Sequence, residues 1–242
     1  MGLPNLGYKF YREIAPKLKK YKKPIIASVS GLCLEDNIEI IHAFQSSEID
    51  MIELNLSCPN IVGKPQMGFD LEQTEALFQS LAPHRDKPLG VKLPPYTDPV
   101  HVKGMANLVK KYRIDYVAVI NSVGNCLILD TETEAPIIKS ANGFGGLSGS
   151  YIKPVALGNV RMFYRELQHT SVKIIGVGGI MTGEDAFHFL LAGADLVQVG
   201  TAFVKHGPKI FDRITGELEL ILASKGYPCL LYTSDAADDC VC

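Results

Sequence analysis

The sequence lacks an excess of charge of either sign. Its 242 residues carry 24 Lys and Arg against 26 Asp and Glu, so the formal net charge is only −2. This balance removes the electrostatic basis for binding nucleic acid or a membrane surface. The chain also lacks an apolar run of the ~18 residues that a membrane-spanning helix needs, and its N-terminus has no basic-then-apolar signal pattern. The sequence therefore predicts neither a nucleic-acid partner nor a membrane partner.

Recognisable metal-ligand spacing is missing as well. The cysteines form neither a metal motif nor a dense disulfide framework, and the histidines form no metal motif. A Gly-x-Ser-x-Gly nucleophile motif and a P-loop lysine motif are also absent from the sequence. The cysteines are Cys33, Cys58, Cys126, Cys229, Cys240 and Cys242. We interpret them as reduced thiols of a cytoplasmic protein.

What the sequence does contain is a rhythm of short apolar runs, each followed by an amphipathic stretch. Runs that are apolar nearly throughout are typical of strands buried on both faces, as in a parallel sheet. The predicted strands are Pro24–Val29, Met51–Leu56, Leu89–Leu93, Tyr116–Asn121, Val172–Gly176 and Leu196–Val199. The predicted helices are Asp36–Phe44, Leu71–Leu81, Val100–Tyr112, Pro154–Leu167, Gly183–Leu191 and Pro208–Lys225. The alternation predicts an α/β fold with right-handed crossovers.

The strand ends favour a closed barrel over an open sheet. Polar or glycine residues follow several strands, and in a (β/α)8 TIM barrel all such ends meet on one face, where the active site lies. We count six strand–helix units where a closed barrel has eight, so two strands lie in the loops or the sequence is incomplete. We expect residues 1–228 to form the barrel and residues 229–242 to form a polar tail outside it.

The segment around Cys58 is the strongest local candidate for chemistry. The strand Met51–Leu56 delivers Asn55 to its carboxyl end, and Cys58-Pro59-Asn60 follows in a loop that suits a lid over a site. A buried, inert cysteine is the alternative interpretation of Cys58.

Lysine, glycine and asparagine residues follow the other strands. Lys92 ends the apolar segment GVKLPP, where a lysine pointing into a barrel needs an anionic partner, and the alternative is a lysine that reaches solvent. Glycine turns at 176–180, at 199–202 and at 145–150 suit a phosphorylated cofactor, although glycine also simply makes turns. Asn121 and Ser122, with Asn55 and Asn60, offer amides that suit a planar imide or a carboxylate, or else form turns.

These segments together give the sequence a specific resemblance. NLSCPN with GKPQ, GVKLPPY, INSVGN, FGGLSG, GVGGI and QVGTA occur in the order and spacing found in the class 1A dihydroorotate dehydrogenases, the soluble flavin enzymes of pyrimidine synthesis. The similarity extends from Met1 to about Tyr227. It implies a TIM barrel that binds FMN and oxidises dihydroorotate to orotate in the cytoplasm, with fumarate as acceptor. It also implies a homodimer.

The resemblance implies a role for individual residues. Cys58 would be the catalytic base, and Lys92 would approach the N1 edge of the flavin. Residues implied to contact the substrate are Met1, Gly2, Leu3, Asn55, Asn60, Asn121 and Ser122. Residues implied to contact FMN are Asn55, Lys92, Ile120, Gly149, Gly178, Gly179, Gly200 and Thr201.

Both ends of the chain depart from the family pattern. Members of the family have about two further strand–helix units before the segment matched by Met1, and they continue into a final helix where this chain has PCLLYTSDAADDCVC. From this we expect a truncated chain that is poorly soluble, binds little FMN and does not turn over dihydroorotate. A non-catalytic fragment and a related flavin barrel acting on dihydropyrimidines are therefore the alternative functions.

Overall fold

A computed structural model describes residues 5–57, 66–139 and 141–227. In this part of the chain, six parallel strands form one sheet. In the order in which they lie side by side, they are β1 Ile26–Val29, β2 Met51–Asn55, β3 Leu89–Leu93, β4 Tyr116–Val119, β9 Lys173–Val177 and β10 Leu196–Gln198. All six predicted strands are therefore present, with bounds that shift by one or two residues at some ends.

Helices connect the strands, as the sequence rhythm predicts. They are α1 Tyr8–Leu18, α2 Leu34–Gln45, α3 Leu71–Leu81, α4 Pro99–Lys111, α5 Lys153–Leu167, α6 Gly183–Leu191, α7 Thr201–His206 and α8 Lys209–Ser224. The predicted helices include neither α1, which precedes the first strand, nor the short helix α7. None of the helices in the described ranges is long and apolar enough to cross a membrane.

Side-chain caps define where several helices begin. The Asp70 carboxylate accepts from the backbone N–H of Gln73 at the start of α3, and the Asp98 carboxylate accepts from that of His101 at the start of α4. Such caps satisfy backbone donors that have no partner within the helix. The acidic residues that precede the apolar periodicity are therefore the signals that set these boundaries.

The two faces of the sheet differ in character. Alternate strand residues such as Leu54, Val91 and Val117 are fully buried and belong to the core that the helices cover. Their neighbours in the pleat point to the other face, where Glu53 pairs with Gly90 and Asn55 with Lys92 in the strand register. The inner face is therefore polar near the carboxyl ends of the strands.

The sheet is curled, as in a barrel. Gln198 lies on the edge strand β10, yet its Nε2 donates to Glu53 Oε2 of β2 at 3.0 Å. Three strands separate β10 from β2 in the sheet order, so this contact crosses the interior. The described residues form an α/β half-barrel of six strands, and the predicted fold class is confirmed to that extent.

Two antiparallel ribbons lie outside this sheet. The first pairs β5 Val123–Leu127 with β8 Phe144–Leu147, and the second pairs β6 Leu129–Asp130 with β7 Ala135–Pro136. Because neither ribbon joins the six-stranded sheet, they do not supply further barrel strands. The division at residue 228 stays a prediction, since residues 228–242 lie outside the described part.

Gly90 allows the closest packing on the inner face. A Cβ built on Gly90 would lie 2.2 Å from ring atoms of Tyr116, whose hydroxyl donates to the Ile52 carbonyl. We expect Gly90→Ala to lower the free energy of unfolding by about 1–3 kcal/mol, because the added methyl group must displace a buried ring whose hydroxyl is hydrogen-bonded. Urea denaturation measures this change.

Gly158→Ala is the matched control for this prediction. Gly158 lies within α5, and a Cβ there would meet no heavy atom within 4 Å. Since alanine is the better helix former, the control should be neutral or stabilising by up to about 1 kcal/mol. Equal stability of the two variants would contradict the close packing at Gly90.

Candidate functional site

The candidate site lies at the carboxyl ends of three neighbouring strands. Asn55 is the last residue of β2, Lys92 is its register partner on β3, and Asn121 and Ser122 follow β4. The ends are also joined through the backbone, because the N–H of Asn121 donates to the Leu93 carbonyl at 2.8 Å. The structure thus brings together four of the polar residues that the sequence indicated.

Asn55 and Asn121 are linked through Ser57. Asn55 Oδ1 accepts from both the backbone N–H and the hydroxyl of Ser57, each at 3.0 Å. Asn121 Nδ2 donates to the Ser57 hydroxyl at 2.9 Å, to its carbonyl at 3.0 Å and more weakly to Asn55 Oδ1 at 3.4 Å. Asn121 Oδ1 in turn accepts from the backbone N–H of Ser122. These bonds fix both side-chain amides beside Ser57, which lies just before Cys58 in the sequence.

One group of this network remains available to a ligand. Within the described residues, Asn55 Nδ2 donates to no partner, although its Oδ1 is saturated by Ser57 and Asn121. A cleft of about 460 Å³ reaches Asn55 along β1, and Ser28, Ser30 and Asn5 also line it. An amide donor held in place beside a cleft suits recognition of a carbonyl or carboxylate oxygen.

Lys92 points to the inner face of the half-barrel. Its Nζ donates to Gln198 Oε1 at 3.1 Å, and Gln198 is its only acceptor in the described part of the chain. Burial lowers the pKa of Lys92, and the nearby carboxylate of Glu53 opposes that shift. Lys92 is therefore directed inward, which argues against the alternative of a lysine that reaches solvent. Its role at a cofactor stays a prediction.

The glycine turns converge at one place. A Cβ on Gly179 would lie 3.0 Å from the carbonyl oxygen of Gly149, and a Cβ on Gly149 would lie 3.5 Å from Thr201 Cγ2. The hydroxyl of Thr201 also donates to that of Ser148 at 3.3 Å. The loops that follow β8, β9 and β10 therefore meet, as an anion cradle assembled from several turns requires.

The glycines of these turns are needed for different reasons. Gly149, Gly178 and Gly179 have φ of 84°, 130° and 81°, a region that strains residues with a Cβ. Gly200 has φ −109° and no atom within 4 Å of a built Cβ, so it leaves open space before α7.

The segment 145–150 is only partly a turn. Gly145 and Gly146 lie in strand β8, so the interpretation of the whole segment as a turn is wrong. Ile120 is buried beside these turns, where its N–H donates to the Val177 carbonyl.

Asp185 braces the turn that contains Gly178 and Gly179. Its Oδ2 accepts from the backbone N–H groups of Met181 and Thr182 at 2.9 and 3.0 Å, and its Oδ1 accepts from Lys153 Nζ at 2.6 Å. Burial acts to raise the pKa of Asp185, but these hydrogen bonds hold it below its ordinary value. The Asp185 carboxylate therefore stabilises the folded chain at pH values above its ordinary pKa. This stabilisation is lost as the pH falls through the lowered pKa of the folded state.

We expect Asp185→Ala to lower the free energy of unfolding by about 1–2 kcal/mol at neutral pH, with the difference from the parent chain disappearing in acid. It should also weaken the binding of a phosphorylated ligand. Asp98→Ala is the matched control, because it removes a cap from α4 without touching the turn. Urea denaturation across pH and ligand titration measure both effects, and equal ligand affinity in the two variants would contradict the bracing role.

Several predicted site residues lie outside the described residues. They are Met1, Gly2, Leu3, Cys58 and Asn60. Their roles therefore stay predictions.

Sequence reasoning missed three residues that contact the site. Ser57 joins the two asparagines, while Glu53 and Gln198 connect to Lys92 across the interior. A signal for Glu53 was present, because a charged residue two positions before Asn55 lies on the same face of a strand. Gln198 carried no comparable signal, since its contact depends on the curl of the sheet.

Comparison with known proteins agrees with this geometry. The family model described as dihydroorotate dehydrogenase matches residues 1–222. The chain is 50% identical over 231 residues to dihydroorotate dehydrogenase A (fumarate) of Lactococcus lactis subsp. lactis, covering 94% of this chain and 74% of that protein. It is 47% identical over 231 residues to dihydroorotate dehydrogenase (fumarate) of Lachancea kluyveri, covering 94% of this chain and 73% of that protein. The resemblance to the class 1A enzymes is thereby confirmed, and the chain belongs to the dihydroorotate dehydrogenase family.

Proposed function

We propose that this chain oxidises dihydroorotate to orotate in pyrimidine biosynthesis, with FMN as its cofactor and fumarate as the electron acceptor. The family supports the activity, and relatives named as fumarate enzymes support the acceptor. One observation in the structure supports the proposal most strongly. The ordered amides of Asn55 and Asn121 lie at the strand ends next to Lys92, an inward-pointing lysine.

The amides provide the chemistry for holding the substrate. Dihydroorotate has a ring with imide N–H and carbonyl groups and also carries a carboxylate. Asn55 Nδ2, which donates to none of the described residues, would donate to one of these oxygens, while the Ser57 bonds hold the side chain in place. We propose that Asn121, Ser122 and Asn60 bind the rest of the ring, and that Met1, Gly2 and Leu3 line its carboxylate end.

Cys58 is proposed as the base. Oxidation removes a proton from C5 and a hydride from C6, leaving the C5–C6 double bond of orotate. The thiolate of Cys58 would take the C5 proton and become a neutral thiol, which releases the proton to solvent after turnover. Asn55 and Ser57 lie just before it in sequence and are held by hydrogen bonds to each other.

The residues present fit a flavin mononucleotide. When bound, FMN would accept the hydride from dihydroorotate and then pass the two electrons on to fumarate. Lys92 offers a positive charge on the inner face, where it would stabilise negative charge at the pyrimidine edge of the ring system. Ile120 offers an apolar contact, and the converging turns with Gly149, Gly178, Gly179, Gly200 and Thr201 offer backbone N–H groups for the phosphate.

We propose in addition that the protein is a cytoplasmic homodimer. The two ribbons and the residues next to them expose several large apolar side chains close together in sequence, a composition typical of subunit interfaces. They are Leu127, Ile128, Leu129, Ile137, Ile138 and Phe144. Cys33 and Cys126 are free thiols, which favours a reducing compartment. Sedimentation equilibrium tests the dimer.

Steady-state assays with matched substrates and acceptors test the proposed function. The full chain, reconstituted with FMN, should form orotate from dihydroorotate when fumarate is supplied, and succinate should accumulate in equal amount. A chain that binds little FMN and forms no orotate would instead be a non-catalytic fragment, the alternative function. Dihydrouracil lacks the carboxylate and should be a poor substrate. Turnover of dihydrouracil at the rate of dihydroorotate would contradict the proposed substrate, and orotate formation with a quinone but not with fumarate would contradict the proposed acceptor.

A further inference from the structure

Lys92 is connected to a buried carboxylate by a side-chain amide. Gln198 Oε1 accepts from Lys92 Nζ at 3.1 Å, and Gln198 Nε2 donates to Glu53 Oε2 at 3.0 Å. Glu53 Oε1 accepts from the Ser28 hydroxyl at 3.3 Å. These contacts form a chain across the interior from β1 and β2 through β10 to β3.

The chemistry of these groups permits only one orientation of the Gln198 amide. A lysine ammonium can only donate, and a carboxylate can only accept. If the amide were rotated by half a turn, its NH2 would face the ammonium and its oxygen would face the carboxylate, so both contacts would become repulsive. Gln198 therefore holds Lys92 and Glu53 at a fixed separation.

Burying the Glu53 carboxylate costs free energy unless a cation lies nearby. Only 5% of its surface is exposed, and an isolated buried carboxylate is strongly unfavourable. Among the described residues, Tyr116 is also close to Glu53 on this face, and burial and then the charge of Glu53 raise the pKa of its hydroxyl, which leaves it neutral. Lys92 therefore supplies the compensating charge.

We infer that Glu53 and Gln198 are positioning residues that hold the Lys92 ammonium at one place on the inner face, directed at the flavin. This inference rests on the proposed function. It adds to that function how Lys92 is kept protonated and how its ammonium is held in the direction of the flavin. A direct Lys–Glu contact would neutralise the ammonium locally. With an amide between them, the described residues use one ammonium N–H, which leaves the other two for the cofactor.

The first test measures Lys92 itself in flavin-free protein. The full chain is labelled with 13C-lysine, the Lys92 signal is assigned with Lys92→Arg, and its pKa is obtained by NMR titration. Glu53→Gln removes the attracting charge and should lower the pKa of Lys92 by about one unit or more. Glu75→Gln is the matched control, because Glu75 pairs with Lys111 on the surface, and it should leave Lys92 unchanged.

A swap variant separates positioning from a merely structural role. The double change Glu53→Gln and Gln198→Glu keeps one carboxylate and one amide but exchanges their places. It should restore the pKa of Lys92 to the parent value or above, since the carboxylate then contacts the ammonium directly. An unchanged pKa in Glu53→Gln, or a swap variant that does not recover it, would overturn the inference.

The second test uses the chain loaded with FMN. Gln198→Leu should slow the reduction of bound flavin by dihydroorotate about tenfold or more, because Lys92 loses the acceptor that aims it. An unchanged rate would overturn the positioning role. If the parent chain does not oxidise dihydroorotate while the Lys92 titration behaves as expected, the proposed function fails and the assignment of Glu53 and Gln198 stands.

Discussion

Replacing Cys58 with alanine should lower dihydroorotate oxidation at least about a hundredfold while leaving flavin bound, because general base catalysis contributes ~10²–10⁴ in rate. The reason is chemical, since Cys58 is the residue proposed to take the C5 proton. Stopped-flow absorbance measures the rate of flavin reduction, and the visible spectrum measures flavin content.

The pH profile and a matched variant sharpen this prediction. A thiol ionises at a pH of about 8.5 in the absence of perturbation, so the parent rate should rise through the mildly alkaline range. Cys58→Ser should retain a little activity at high pH, because a hydroxyl is a much weaker base. Cys33→Ala is the control, since Cys33 is a free thiol at the start of α2. Full activity in Cys58→Ala would remove Cys58 from the mechanism.

Replacing Lys92 with alanine should weaken FMN binding and slow flavin reduction together. In a site that excludes water, a charge aimed at developing negative charge lowers the barrier by about 3–4 kcal/mol, which corresponds to a rate loss of about a hundredfold or more. Titration of the apoprotein with FMN measures the affinity, and stopped-flow absorbance measures the rate.

The surface offers a matched control for Lys92. Lys111 is an exposed lysine that pairs with Glu75 and lies on α4, away from the inner face. Lys111→Ala should leave both flavin affinity and flavin reduction at the parent values. The same result in Lys92→Ala would show that the inward-pointing ammonium has no role in the reaction.

Much of the fold could be predicted from the sequence, because local patterns determine it. The run Leu89–Leu93 and the helix Leu71–Leu81 have the bounds that the sequence predicts, since an unbroken apolar run or a 3.6-residue period is a local property. The ribbons between residues 123 and 147 were missed because their strands are short and half exposed. Short strands with weak alternation have no clear periodicity.

Part of the site was also predictable from local patterns of the sequence. Asn55, Lys92 and Asn121 follow apolar strands, so their position at one edge follows from the parallel arrangement. The contact between Glu53 and Gln198 joins residues 145 positions apart in the chain. It depends on the curl of the sheet, which no local pattern of sequence determines.

Anaerobic reduction of the bound flavin by dihydroorotate tests the central claim most directly. The full chain is reconstituted with FMN, oxygen is removed, and dihydroorotate is added in small excess without any acceptor. The account predicts that the visible absorbance of the flavin disappears, that one orotate forms for each flavin, and that fumarate then restores the absorbance. A flavin that binds but remains oxidised in the presence of dihydroorotate would contradict it.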